Sequence, residues 1–313
     1  MNAIIPTAAL LTQGLTRGEL RALVRTGTLC PIRRGAYLLG ALDPDEDDPG
    51  GYLAHRRMIE ATVPQLQSGA VLCHGSAAAL HDLPVWRHSL AAVHVMRDGN
   101  AGGQCREHVH DHRTPLSDDD VIVIDGMLVT GLARTVADLG RSTPKMESVQ
   151  AGDSALRMGL EPEDLQHALE SMYRWPGVRN ARWMADFLDI RSESAGESAS
   201  RVRMVQDGIP MPELQHEIFD EDGVFVARVD FAWKERRTVG EFDGEIKYGR
   251  LLKPGQTKQD VLYAEKARED AIRAAGWEVA RWGWPQIGQP GEIADRIHGA
   301  FRLAMSRGLK RAS

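Results

Sequence analysis

Cysteine is scarce: Cys30, Cys73 and Cys105 are the only three in 313 residues, odd in number and far apart. That pattern excludes a disulfide framework and a paired-cysteine zinc ribbon, and leaves plain thiols. A run of about 18 apolar residues is also missing, which excludes a transmembrane helix. The opening stretch "MNAIIPTAALLTQGLTRGEL" lacks the basic residues that would precede the apolar core of a signal peptide, so a cytoplasmic location is expected. Positive charge is not in excess either. A net charge of -6 argues against a surface coated for nucleic-acid binding and directs attention to local patches.

What is present is an ordinary globular composition, 42% apolar and 26% charged, which fits neither a disordered nor a membrane chain. The length favours about two domains. Residues 1 to 40 gather Arg17, Arg21, Arg25, Arg33 and Arg34 against the single acid Glu19, and "DPDEDD" from Asp43 follows as an acidic loop.

In "LTRGELRALVRTGTLCPIRRGAYLL", Thr16 can cap a helix with Leu20, Leu23 and Val24 on one face, and Gly27 can end it. Two short strands turned at Arg34-Gly35 follow. With "PTAALLTQG" as a preceding helix, this order is that of a winged helix-turn-helix. It would set Arg17 and Arg21 toward a DNA groove and Arg33 and Arg34, on the wing, toward phosphates. The plainer reading is a small helical scaffold with solubilising arginines.

From about residue 51 to 142 helices alternate with short strands, and "DDVIVIDGMLVT" reads as a hairpin turned at Asp125-Gly126. Arg134 and Asp138 stand at i, i+4 on the next helix, a structural pair. "CREHVHDH" places His108, His110 and His112 at the period of one strand face, a spacing that suits a metal ion, although a polar strand edge is the simpler reading. Together "LVRTGTLCPIRRGAYLL", "LCHGSAAALHDLP" and "VTGLARTVADL" resemble the N-terminal region of AbiEi-type antitoxins, over roughly residues 1 to 140. The resemblance implies a DNA-binding winged helix, a following mixed α/β domain, and a possible cognate toxin as partner. Residues 143 to 190 read as a helical connector.

After residue 190 the order is helix, three strands, helix, strand, the core order of the PD-(D/E)XK nuclease fold. Hydrolysis of a phosphodiester with a divalent ion needs oxygen ligands that converge near the phosphorus. Asp230 and Glu241, near the ends of successive strands, can meet across them, Asp243 shares the face of Glu241, and Glu197 approaches from the preceding helix. "ESASR", "RVDFAW", "GEFDG" and "AREDAIRAAGWEVARWGW" are similar to nuclease domains related to very-short-patch-repair endonucleases, over about residues 190 to 290. That similarity implies Glu197, Asp230 and Glu241 as acidic site residues, with Asp243 where the family usually carries lysine. Arg268, Trp277 and Arg281 match the family's ending. Lys247, in the basic loop from Lys247 to Asp260, can reach back toward the phosphate. Trp233, Trp277, Trp282 and Trp284 read as core residues rather than base-stacking platforms.

The expectation is a mixed α/β protein with a winged helix over 1–50, an AbiEi-like α/β domain over 51–142, a connector over 143–190 and a restriction-endonuclease-like sandwich over 191–313. In function it would be a duplex-DNA-binding endodeoxyribonuclease. Mg²⁺ or Mn²⁺ would sit on Asp230, Glu241 and Asp243, Glu197 would orient the water, and Lys247 would stabilise the developing charge. The alternatives are an AbiEi-like repressor or antitoxin carrying an inactive nuclease fold and, more distantly, an RNA-directed nuclease.

Overall fold

The computed structural model describes residues 4–40, 48, 50–99, 103–106, 108–244 and 258–312. Lys247 lies outside them, as do most of the basic loop and all of the acidic loop except Asp48. The protein is mixed α/β with three sheets, and it divides into two compact units, Met1–Asp186 and Phe187–Ser313. No described helix is long and apolar enough to cross a membrane.

The first unit begins with strand β1 (Ile4–Pro6), helices α1 (Thr7–Thr12) and α2 (Arg17–Arg25), and strands β2 (Leu29–Arg33) and β3 (Ala36–Leu39). Thr16 starts α2 through a reciprocal capping box: the Glu19 amide donates to Thr16 Oγ1 at 3.2 Å, and the Thr16 amide donates to Glu19 Oε2 at 2.8 Å. The hairpin turns at Arg34-Gly35 as its sequence indicates. Pairing of β1 with β3 makes a three-stranded sheet that the sequence did not suggest. Leu10, Leu20 and Leu29 form the small core between helices and sheet.

Next come α3 (Tyr52–Thr62), β4 (Val71–Leu72), α4 (His74–Leu80), β5 (Val93–Arg97), β6 (Gln104–Arg106), β7 (Val109–Arg113), β8 (Val121–Ile124) and β9 (Met127–Thr130). Asp48 accepts from the Ala54 amide at 2.9 Å in the first turn of α3. Strands β4 to β9 build a six-stranded mixed sheet in the order β6-β7-β5-β4-β9-β8. Its core unites Ile59, Leu72, Ala77, Leu80, Val93, Val95 and Val129. The β8–β9 hairpin has the expected two-residue turn, with Asp125 at φ 50° and Gly126 at φ 75°. Both central residues are left-handed there, the geometry that matches strand twist and favours Asp-Gly.

Helices α5 (Leu132–Ser142), α6 (Lys145–Arg157), α7 (Pro162–Ser171) and α8 (Val178–Phe187) follow. Because α6 and α7 pack on α5, and Ala181 and Met184 of α8 are fully buried, the segment read as a connector is helical as expected and contributes core to the first unit. Arg134 and Asp138 pair at 2.9 Å as expected, but deep in the interior: Arg134 also reaches Asp120 at 2.8 Å and the Pro115 carbonyl at 3.3 Å.

The second unit runs α9 (Ala195–Gln206), β10 (Glu213–Phe219), β11 (Phe225–Trp233), β12 (Thr238–Phe242), α10 (Lys258–Ala274) and β13 (Glu278–Trp282), the order read from the sequence. It closes with α11 (Trp284–Ile287) and α12 (Glu292–Ala312). The sheet order is β10-β11-β12-β13, antiparallel except for the parallel β12–β13 pair. A parallel neighbour needs a long crossover, and α10 supplies it. Trp233, Trp277 and Trp282 are buried as expected, whereas Trp284 is 40% exposed and meets Phe242 edge to face.

Candidate functional site

The acidic residues of the second unit are set by strand register. Phe231 pairs with Gly240 across β11 and β12, and one step further along this antiparallel ladder brings Asp230 opposite Glu241. Asp230 Oδ2 accepts from the Phe242 amide at 2.9 Å, which ties the carboxylate to the neighbouring strand. Asp243 follows β12, its amide donating to the Trp282 carbonyl at 2.8 Å. The Asp243 carboxylate has no hydrogen-bond or ion-pair partner among the described residues.

Glu241 is 7% exposed and is held on both oxygens: Arg268 Nη1 of α10 at 2.5 Å from Oε1 and Arg281 Nη2 of β13 at 2.7 Å from Oε2. Arg281 also pairs with Glu265 at 2.6 Å and Glu269 at 3.5 Å. Burial opposes the Arg281 charge, but Glu241, Glu265 and Glu269 together raise its pKa.

Glu197 is used differently. Its Oε1 accepts from Ser194 Oγ at 2.7 Å, and its Oε2 accepts from the Glu193 amide and from Gln215 Nε2, both at 2.9 Å. These bonds close the first turn of α9 and tie it to β10. Gly196 beside it is required by packing, since a Cβ there would lie 1.9 Å from the Phe242 ring. The structure thus sets Asp230 and Glu241 side by side, leaves the Asp243 carboxylate at the end of β12 without a partner among the described residues, and engages Glu197 in the helix cap.

In the first unit, Arg17 and Arg21 are exposed on the first turns of α2, with Arg21 Nε donating to the Arg17 carbonyl at 3.2 Å. Arg34 is exposed in the hairpin turn. Arg33 is half-buried at the end of β2, and its Nε and Nη1 have no hydrogen-bond partner among the described residues.

The histidine stretch resolves unevenly. His110 and His112 share a face of β7, but His108 sits ahead of the strand at φ 63°. Parallel β5 sets His94 opposite His110, so His94, His110 and His112 occupy one sheet face. His94 Nδ1 and His112 Nε2 are 3.0 Å apart, and His74, just after β4, stacks on His112 with ring centroids 4.0 Å apart. Cys73 Sγ lies 3.2 Å from His74 Nδ1. Burial pushes His94 down to about 2 and His74 down to about 3, and lowers His112 as well. The Cys73 thiol is raised well above its ordinary value, first by burial and then by the charge of Asp138. Two groups of three potential ligands fall within 4.8 Å of one another among the described residues: Cys73–His74–His112 and His94–His110–His112. Asp230, Glu241 and Asp243 do not form such a group.

Sequence reading missed His74 and His94. His94 was legible in part, since "AAVHVM" is a strand with His94 on its polar alternation, but only the pairing of β5 with β7 brings it to His110. It also missed that Arg268 and Arg281 converge on Glu241, because the three come from different elements.

No protein-family profile matches the chain. It is 28% identical over 291 residues to "Uncharacterized protein MT2308" and likewise to "Uncharacterized protein Rv2248", from two strains of Mycobacterium tuberculosis. Each alignment covers 90% of this chain and 96% of the mycobacterial one, so it takes in most of both units.

Proposed function

We propose that this protein acts on duplex DNA, with its N-terminal helix-and-hairpin element serving as a winged helix-turn-helix and residues 191–313 as a PD-(D/E)XK endodeoxyribonuclease domain. The AbiEi-like stretch over 51–142 would be the scaffold between them in sequence. One observation carries the reading: Asp230 and Glu241 come side by side on β11 and β12 inside a helix, three-strand, helix, strand unit, with Asp243 following at the end of β12.

The donor set is all oxygen, which suits Mg²⁺ or Mn²⁺ rather than a softer ion. Asp230, Glu241 and Asp243 would hold it once Asp243 moves in toward the other two, since the three do not lie within 4.8 Å of one another. When bound, such an ion supplies a Lewis acid at the phosphate and lowers the pKa of its water. The protein's own contribution is orientation. The Phe242 amide fixes Asp230 at 2.9 Å, and Arg268 and Arg281 fix Glu241, so neither carboxylate is free to swing. Glu197 secures the start of α9 through Ser194 and Gln215, a supporting role rather than that of a water-orienting base. On the DNA-binding side, Arg33 keeps donors unsatisfied among the described residues beside exposed Arg34, a pair that suits backbone phosphates.

A second reading rests on the arginines themselves. Both Glu241 oxygens already have cationic partners, which favours a nuclease fold kept as a binding platform in an AbiEi-like repressor or antitoxin, with a cognate toxin as partner. Incubation of the purified protein with plasmid and Mg²⁺ or Mn²⁺ separates the two. Metal-dependent cutting that disappears in Asp230→Ala with Glu241→Ala supports the nuclease. Salt-sensitive binding without cutting, abolished by Arg33→Ala with Arg34→Ala, supports the repressor.

A further inference from the structure

The first unit holds a second cluster of donors with different chemistry. His94 on β5 and His110 and His112 on β7 converge from adjacent parallel strands, their ring nitrogens within 4.8 Å of one another. We propose that His94, His110 and His112 form a binding site for a divalent transition-metal ion of the Zn²⁺ class.

Geometry supports this ahead of a simple histidine hydrogen bond. A tetrahedral zinc with nitrogen ligands at about 2.0–2.1 Å places those nitrogens about 3.3–3.4 Å apart. The His94 Nδ1 to His112 Nε2 separation is 3.0 Å, within a few tenths of an ångström of that spacing, and the remaining nitrogen pairs lie within 4.8 Å, so His110 would close in on the other two as the ion binds. A hydrogen bond between His94 and His112 accounts for two rings and leaves the third without a reason to be there. His110 meets His94 edge to face with centroids 4.8 Å apart and completes a three-nitrogen set.

The three rings are each half-buried, which gives an ion a route from solvent, while Cys73 and His74 behind His112 are buried. Neutral imidazoles need no counter-charge to be gathered, and a neutral ring is the form that ligates. Three imidazoles leave a fourth tetrahedral position for water or another donor. Imidazole nitrogen selects Zn²⁺, Co²⁺ or Ni²⁺ over Mg²⁺, so this site would discriminate against the ion proposed for the carboxylates of the second unit.

The test uses the full chain, stripped with chelator and titrated with Co²⁺ and then Zn²⁺. One Co²⁺ per chain with the visible absorption of tetrahedral cobalt, displaced by Zn²⁺, is expected. His110→Gln is expected to weaken Zn²⁺ binding by more than about 100-fold, beyond the usual cost of an outer-shell change. His108→Ala is expected to leave it unchanged, as is Asp230→Ala with Glu241→Ala. Imidazole nitrogen NMR of the unmutated protein gives an independent measurement that needs no substitution: three rings shift on adding Zn²⁺. Absence of a tetrahedral Co²⁺ spectrum, Zn²⁺ affinity indifferent to His110→Gln in a folded variant, or loss of binding in the carboxylate double variant would each overturn the assignment.

Discussion

The two units gather polar side chains on sheets by opposite physical routes. In the first, the imidazoles of His74, His94 and His112 come within stacking distance with no compensating charge on the rings, because burial favours their neutral form. In the second, carboxylates on β11 and β12 come together only in the company of cations, and Glu241 is bracketed by Arg268 and Arg281. Neutral donors can be assembled in advance of any ligand. Ionised ones repel at close range, so the chain must either supply a positive partner or leave them apart. That is why the convergent ligand sets among the described residues are made of histidine and cysteine, while Glu241 sits between two arginines and Asp230 is held by a backbone amide.

The largest expected break in this comparison is at Arg134, which anchors the helix that carries Asp138. Both are almost fully buried, and Arg134 also binds Asp120 and the Pro115 carbonyl. Arg134→Met is expected to cost about 3–5 kcal/mol, because it strands Asp138 in the interior with Arg141 as its remaining cation. Chemical denaturation followed by hydrogen exchange should show the loss in peptides of the first unit. If the second unit loses stability equally, the two do not unfold as separate bodies.

A second break is the response to acid. His55, His74 and His94 have folded pKa values of about 4, about 3 and about 2, each below the ordinary 6.5. The unfolded chain therefore binds protons that the folded one refuses, so stability is complete above about pH 6.5 and falls as pH drops from there toward the folded values. Each such histidine contributes up to about 1.4 kcal/mol per pH unit within that window. Between pH 6.5 and 5 the first unit, which carries His55, His74 and His94, should therefore weaken more than the second. Hydrogen exchange in β5 and β7 compared with β11 and β12 reads the difference. Equal loss in both, or none, would remove the contrast.

How far the sequence foretold this contrast depends on the distance each feature spans. The helix cap at Thr16, the Asp125-Gly126 turn and the Arg134–Asp138 pair are local, set by residues within four positions, and each was legible, although the part of Glu19 in closing the capping box was not. The helix and strand order of the second unit was legible too, because alternation and amphipathic periods mark elements without reference to neighbours. Asp230 and Glu241 were paired correctly since a short antiparallel connection fixes register. What the sequence hid was every juxtaposition across a crossover. His94 meets His110 through parallel strands with β6 between them in the chain, and Arg281 meets Glu241 only after α10 has returned the chain to the sheet. Glu197 was placed on the right helix, but its engagement by Gln215 of β10 depends on tertiary packing that no local pattern encodes.

The smallest expected effect sharpens the comparison most directly. If Arg268 neutralises Glu241 in place of an ion, its removal should make the carboxylate row a better cation site. Arg268 is partly exposed and its charge is screened by solvent, so the gain is modest: about tenfold tighter Mn²⁺ binding in Arg268→Gln, far below the unscreened Coulomb energy of the pair. Glu241 keeps Arg281, which limits the cost to the fold. Mn²⁺ binding followed by electron paramagnetic resonance, with Asp243→Asn in parallel, provides the measurement. A tenfold gain that Asp243→Asn cancels places the ion on the row and makes the arginine its competitor. An unchanged or weaker affinity makes the arginines permanent partners of Glu241, and the second unit then keeps its acids for shape and DNA contact rather than for hydrolysis.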